Sequence, residues 1–214
     1  MHVADLTLTG ARSQAVFDTL LRTLAEPGTV LPLPATLTAE APRPLWLPLA
    51  LADVDVRCAV IDADGGREAS LEALVADACG ARPAEVADAD IVTYLTTPPT
   101  VDDRLDRGTA LAPERGTRVG IAVGHLAVAS AEAPRSPEVT RLRLSGPGVP
   151  GERLLDVTPT SGSTIAAVAP GLGQAGGTFP TGLDVWLWAD DGAVAAISRS
   201  TTVTVVATDE QGVS

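Results

Sequence analysis

The chain has 214 residues, a formal net charge of −12 at pH 7, 45% hydrophobic residues and only 3% aromatic residues. A chain of this length can bury about 70% of the surface that its unfolded form exposes, so we expect one domain over residues 1–214. The acidic balance opposes general binding to nucleic acid, whose affinity comes largely from Lys and Arg side chains that neutralise phosphates.

All fifteen basic residues are arginine, and lysine is absent from the chain. A pyridoxal phosphate enzyme of the usual kind needs a lysine for its Schiff base, and a Walker A loop needs one for its phosphates, so both classes are excluded. Cys58 and Cys79 are the only cysteines and do not form a C-x-x-C motif. We expect two buried free thiols and predict no catalytic residue, cofactor or metal site.

Membrane insertion and secretion both lack support in the sequence. No apolar run approaches the ~20 residues that cross a bilayer, and the N-terminal segment lacks the basic and apolar regions of a signal peptide. We therefore expect a cytoplasmic protein that has no membrane partner.

Apolar spacing and turn residues in the first half of the chain predict alternating helices and strands. The predicted helices are an amphipathic one from its N-cap at Ser13 to Pro27, a short apolar one at 45–52, and one at 68–79 that ends at Gly80. The predicted strands are an edge strand at 29–33, where prolines limit pairing, and buried strands at 56–61 and 91–95.

The second half of the chain is richer in predicted strands. The sequence of residues 101–107 indicates a polar helical turn. Asp102 and Asp103 would stabilise it by their interaction with the partial positive charge of the helix N-terminus. Strands are predicted at 118–126, 139–144, 154–157 and 203–207. Arg141 and Arg143 share one face of their strand by parity.

The stretch FPTGLDVWLWADDGAVAAISRST, residues 179–201, predicts a β-hairpin with strands at 183–189 and 193–197. Val185 and Leu187 point to one face of its first strand, and Trp186 and Trp188 point to the other. A strand that is apolar on both faces belongs inside a sheet that is covered on both sides. With helices early and strands late, the sequence predicts an α/β fold, a three-layer α/β/α sandwich with a mixed sheet.

Asp184 and Arg199 lie near the open end of this hairpin. Charges at the edge of a buried layer usually form ion pairs or take part in function. One interpretation is a structural ion pair that fixes the hairpin register. The other is an anion-binding or partner-binding corner that Arg199 forms with Ser200 and Thr201. Because an acidic surface repels anions, a phosphonate or nucleotide site would need a local arginine cluster. The candidates for that cluster are Arg141, Arg143 and Arg199.

Five motifs in register resemble the PhnH family, the H subunit of the bacterial carbon–phosphorus lyase system that degrades phosphonates. They are the helix that ends in EPG at 26–28, LALAD at 49–53, GTALAPERG at 108–116, RLRLSGPG at 141–148, and FPTGLD at 179–184 with the hairpin and the Arg199 run after it. The family pattern around this arginine is similar to Pro-Arg-Thr-Thr, where this chain has Ser198 and Ser200.

The resemblance implies a fold similar to that of pyridoxal-phosphate-dependent transferases, without the lysine. It also implies a homodimer that assembles with the G, I, J and L subunits, with ATP or phosphonate bound within the complex. That assembly transfers the triphosphoribosyl group of ATP to a phosphonate and releases adenine. The chain would be a structural or co-catalytic subunit. Two alternatives of other classes are a stand-alone small-molecule enzyme and a ligand-binding module, each using a transferase-like cleft.

Overall fold

The computed structural model describes residues 6–34, 41–63, 65–131, 136–160, 163–173 and 179–207. Its helices are α1 (Gly10–Ala25), α2 (Trp46–Leu51), α3 (Glu68–Cys79) and α4 (Ile165–Val168). Its strands are β1 (Leu31–Pro32), β2 (Arg57–Ile61), β3 (Arg82–Pro83), β4 (Ile91–Tyr94), β5 (Arg118–Val123), β6 (His125–Ala129), β7 (Thr140–Ser145), β8 (Arg153–Thr158), β9 (Asp184–Ala189), β10 (Ala193–Ile197) and β11 (Thr202–Val205).

These strands form two sheets. Seven strands make a mixed sheet in the order β1-β10-β9-β5-β4-β2-β3. In this sheet β3, β2, β4, β5 and β9 run parallel to one another, and β10 and β1 are antiparallel to their neighbours. The other four strands make an antiparallel sheet in the order β11-β7-β8-β6.

Strand β9 lies inside the mixed sheet and is buried on both faces, as its sequence predicts. Val185 and Leu187 belong to a core that includes Leu142 and Leu155 of the antiparallel sheet. On the opposite face, β9 contributes Trp186 and Trp188 to a second core, which contains Leu20, Trp46 and Leu71 of the helices. The hairpin of β9 and β10 is confirmed, with Val194 opposite Trp188 and Ile197 opposite Val185.

The layers differ from the predicted α/β/α sandwich. An α/β fold with a mixed sheet is confirmed, but α1, α2 and α3 all contribute to the core on one face. The other face packs against the antiparallel sheet and α4. The physical reason is that strands with alternating side chains, such as β7 with Leu142 and Leu144 inward, can cover an apolar sheet as a helical layer would. The likeness to pyridoxal-phosphate-dependent transferases stays a prediction.

Local signals located some element boundaries and missed others. Helix α3 has the predicted bounds, and Gly80 ends it in the left-handed conformation with φ 82°. Helix α1 begins at Gly10 instead of Ser13, because the Ser13 amide already donates to the Thr9 carbonyl at 2.8 Å. No described helix combines the length and apolar character of a membrane span.

The region 101–107 forms a turn where a helical turn was predicted. The Asp102 carboxylate accepts a hydrogen bond from the Arg104 amide at 2.9 Å. Such a local bond from an aspartate side chain offers the backbone an alternative to helix, which explains the difference.

The chain crosses between the two sheets three times. The first crossing is at Gly124, which separates β5 from β6 and donates its amide to the Thr158 carbonyl at 2.9 Å. A Cβ atom at position 124 would lie 2.7 Å from the Pro159 carbonyl oxygen, so the close approach requires glycine. The second crossing leads from β8 back to β9, and the last crossing, residues 198–201, leads from β10 to β11.

Leu155→Ala tests whether the contact between the two sheets stabilises the fold. Leu155 is fully buried in that contact, so we expect the free energy of unfolding to fall by about 2–5 kcal/mol in urea denaturation. Leu111→Ala is the matched control, because Leu111 is 98% exposed and its truncation should change stability by less than about 0.5 kcal/mol. Equal effects from the two variants would contradict the packing described here.

Candidate functional site

The last crossing carries a corner built around Arg199, which lies two residues beyond β10. The Arg199 amide donates to Oδ1 of Asp184, the first residue of β9, at 2.9 Å. The guanidinium donates to Oδ2 of the same carboxylate from Nε at 3.1 Å and from Nη2 at 2.6 Å. The two side chains are only 16% and 13% exposed, so solvent screens this ion pair weakly.

A third element joins the corner through Nη1 of Arg199, which donates to the Pro113 carbonyl. Pro113 begins a short 3₁₀ turn in the connection between β4 and β5. Gly116 permits this approach, because a Cβ atom there would lie 2.6 Å from the Gly182 carbonyl oxygen and 3.3 Å from Nη1 of Arg199. Arg199 thus ties the crossing to the start of β9 and to the β4–β5 connection.

The hydroxyl groups of the crossing bind one another. Ser198 Oγ lies 2.9 Å from Ser200 Oγ and 2.9 Å from Thr201 Oγ1, and the Thr201 amide donates to the Ser198 carbonyl at 2.9 Å. Thr201 is fully buried, whereas Ser200 is half-buried. Ser200 is therefore the hydroxyl of this crossing that is better placed to meet a ligand or partner.

The corner brings together Asp184, Arg199, Ser200 and Thr201, as the hairpin predicts. Its geometry favours the structural interpretation, because one carboxylate and one carbonyl engage three nitrogens of the guanidinium. Binding of a ligand or a partner at this corner stays a prediction.

The other two candidate arginines lie on β7 and have partners of their own. Arg141 is 4% exposed, and its guanidinium donates to both carboxylate oxygens of Asp156 at 2.7 and 2.8 Å and to the Ser130 carbonyl at 2.9 Å. Arg143 is exposed and lies 3.6 Å from the Glu152 carboxylate. Each candidate arginine therefore faces a different acid, and the three do not share one anion site.

Neither cysteine has the properties of a nucleophile. Burial raises the pKa of the Cys58 thiol to about 12, and burial also raises the pKa of Cys79. The Cys79 thiol donates to the Val75 carbonyl at 3.1 Å. Since the thiolate is the reactive form, both groups are poorly reactive near neutral pH.

A cavity of about 380 Å³, which no sequence pattern predicts, opens beyond the last residues of β2 and β4. Its wall contains Ile61 and Tyr94, which end these strands, and Thr96, Asp102 and Asp103 from the connection that follows β4. The one available signal was the Thr-Thr-Pro-Pro segment directly after a buried strand. That segment marks a loop but does not reveal which strand lies beside it.

Comparison with known protein families gives a match. A family model described as bacterial phosphonate metabolism protein (PhnH) matches residues 6–204. Among curated proteins, no match to this sequence was found. The family match covers all five motifs that carry the resemblance.

Arg199→Ala tests the ion pair at the corner. The substitution leaves the Asp184 carboxylate poorly solvated and without its guanidinium partner. We therefore expect a loss of about 3 kcal/mol in the free energy of unfolding. Arg143→Ala is the control, because its exposed pair should contribute no more than about 1 kcal/mol. Adding Asp184→Asn to Arg199→Ala should recover part of the loss, and equal losses from the two arginine variants would refute the assignment.

Native protein at pH 8 should resist alkylation by iodoacetamide at both cysteines. At a pKa of about 12 the thiolate fraction of Cys58 at pH 8 is on the order of 10⁻⁴, since a raised pKa keeps the thiol protonated. Mass spectrometry before and after unfolding in urea measures the labelling, and unfolded protein is the positive control. Fast labelling of Cys58 in the folded protein would contradict its burial.

Proposed function

This chain belongs to the PhnH family of bacterial phosphonate metabolism proteins, and on that premise we propose that it is a supporting subunit of the carbon–phosphorus lyase core complex. In this proposal the complex transfers the triphosphoribosyl group of ATP to a phosphonate such as methylphosphonate. The products are adenine and a ribose 1-phosphonate 5-triphosphate. The chain works in the cytoplasm, pairs with a second copy of itself and binds partner subunits of the G, I, J and L types.

The observation that supports a non-catalytic role is that two of the candidate arginines already bind acids of the same chain. Arg199 binds Asp184 and Pro113, and Arg141 binds Asp156 and Ser130, so their charges stabilise the fold before any anion arrives. An acidic surface adds to this, because it repels ATP and phosphonates from the isolated chain. We infer that anionic substrates bind mainly to partner subunits, and that this chain shapes and stabilises the assembly.

The crossing at residues 198–201 is the proposed partner contact. The half-buried Ser200 lies beside a rigid Arg199, and a preorganised surface loses little conformational entropy on binding. A standard subunit interface buries ~1,600 Å² in total, so this corner would be one part of a larger contact.

Reconstitution tests the proposed function. The chain is purified alone and together with its G, I and L partners, and adenine release from ATP plus methylphosphonate is followed by chromatography. We expect no release by the chain alone, release by the full set, and loss of most of the release when this chain is omitted. Arg143→Ala serves as a folded variant that should retain full activity.

Two outcomes would overturn the proposal. Adenine release by the isolated chain would make it a catalyst in its own right. Full release by the partners in the absence of this chain would show that it does not support the reaction.

A further inference from the structure

The connections after β2 and β4 leave the mixed sheet toward opposite faces. After β2 the chain enters α3, whose Leu71 and Val75 pack in the core on the helical face. After β4 it enters the connection that contains Val101 and Leu105, which pack in the core on the face of the antiparallel sheet. Strands β2 and β4 are adjacent and parallel, so their diverging connections leave a crevice at the carboxyl ends, where ligands bind in open α/β sheets.

The 380 Å³ cavity lies in this crevice, and its wall is held rigidly. Thr97 Oγ1 donates to the Ala122 carbonyl at 2.8 Å, the Thr97 amide donates to Thr160 Oγ1 at 2.9 Å, and Ser163 Oγ donates to the Thr97 carbonyl at 2.9 Å. These bonds fix the segment that carries the cavity residues after β4. A preformed wall of this kind is typical of small-molecule sites.

Tyr94 supplies a polar group without a hydrogen-bond partner. It lines the cavity and is 6% exposed, and its buried hydroxyl binds no other group of the described residues. A buried tyrosine hydroxyl usually has a partner, so the Tyr94 hydroxyl keeps a hydrogen-bonding capacity that the described residues leave unused. Burial raises the pKa of Tyr94 to about 12, which keeps the hydroxyl protonated at neutral pH.

The charged groups that the described residues contribute to the cavity wall are two acids. Asp102 and Asp103 line the cavity, and no basic residue of the described ranges does so. Hydrogen bonds from Arg104, which is 62% exposed, hold the pKa of Asp102 below its usual range and keep it ionised. Because Arg104 offsets the charge of Asp102, the exposed Asp103 carboxylate gives the wall its negative charge, which favours cations and N–H donors over anions. Its other members, such as Ile61, Pro98 and Val101, offer an apolar surface for a flat ring.

We propose that this cavity binds a small molecule with a flat apolar body and a cationic or N–H-rich end, of the amine or amidine class. The ring packs against the apolar wall, the charged end meets the carboxylates, and a small rotation of the Tyr94 side chain brings its buried hydroxyl to a ligand N–H. This inference does not depend on the lyase complex, so either proposal can fail alone.

Three probes of one shape and different charge test the proposal: benzamidine, benzamide and benzoate. Ligand-observed NMR measures their binding to the full chain. We expect benzamidine to bind in the millimolar range, benzamide to bind about threefold more weakly, and benzoate not to bind.

Variants locate the bound probe. Asp103→Asn should weaken benzamidine about threefold, and Arg104→Gln should strengthen it by freeing the Asp102 carboxylate. Tyr94→Phe should weaken it without lowering the melting temperature, because it removes an unpaired buried hydroxyl. Asp18→Asn is the control, since it makes the same charge change at an exposed position of α1, away from the residues that line the cavity.

Several results would overturn the proposal. They are equal binding of benzoate and benzamidine, an effect of Asp18→Asn as large as that of Asp103→Asn, or no binding of benzamidine at about 10 mM. Weakening by Arg104→Gln would also contradict it, because the carboxylate would then not be the attracting group.

Discussion

The fold depends on one strand that must bury both of its faces. Trp186 and Trp188 on β9 can leave water only under the helices, and Val185 and Leu187 can do so only under the antiparallel sheet. The indole of Trp186 also donates to the Leu20 carbonyl of α1 at 3.3 Å, which fixes the position of that helix on the sheet. Each burial stabilises by about 1.5–3 kcal/mol per large side chain, so neither outer layer can be lost without exposing β9.

The sequence predicted those parts of the structure that are specified locally. The β9–β10 hairpin follows from two continuous apolar runs and the Asp-Asp-Gly turn between them, and the end of α3 follows from Gly80. The layer opposite the helices was not predictable in the same way. Alternation on β7 and β8 indicates strands with one buried face, but it does not say whether those strands extend the first sheet or pack against it.

The sites show the same division. The predicted hairpin already placed Asp184 near Arg199. The contact of Arg199 with Pro113 could not be predicted in this way, because it joins residues far apart in the sequence. The cavity exists because β4 lies beside β2, and the sequence of neither strand specifies which strand is its neighbour in the sheet. One connection, residues 95–117, lines the cavity near its beginning and reaches the arginine corner near its end. The corner lies at the amino edge of β9 and the cavity at the carboxyl edge of β2 and β4, so one loop spans the whole height of the sheet.

The last crossing has a consequence for how the chain is synthesised. Strand β11 pairs with β7 through Thr202–Val205, and it reaches that position only after the chain has left β10. On the ribosome, β7 therefore emerges about 60 residues before its partner, with one row of backbone amides and carbonyls unpaired. A nascent chain halted in that interval presents an open edge to other nascent chains. Addition of β11 pairs this row and leaves a strand of four residues at the sheet edge in place of the six residues of β7.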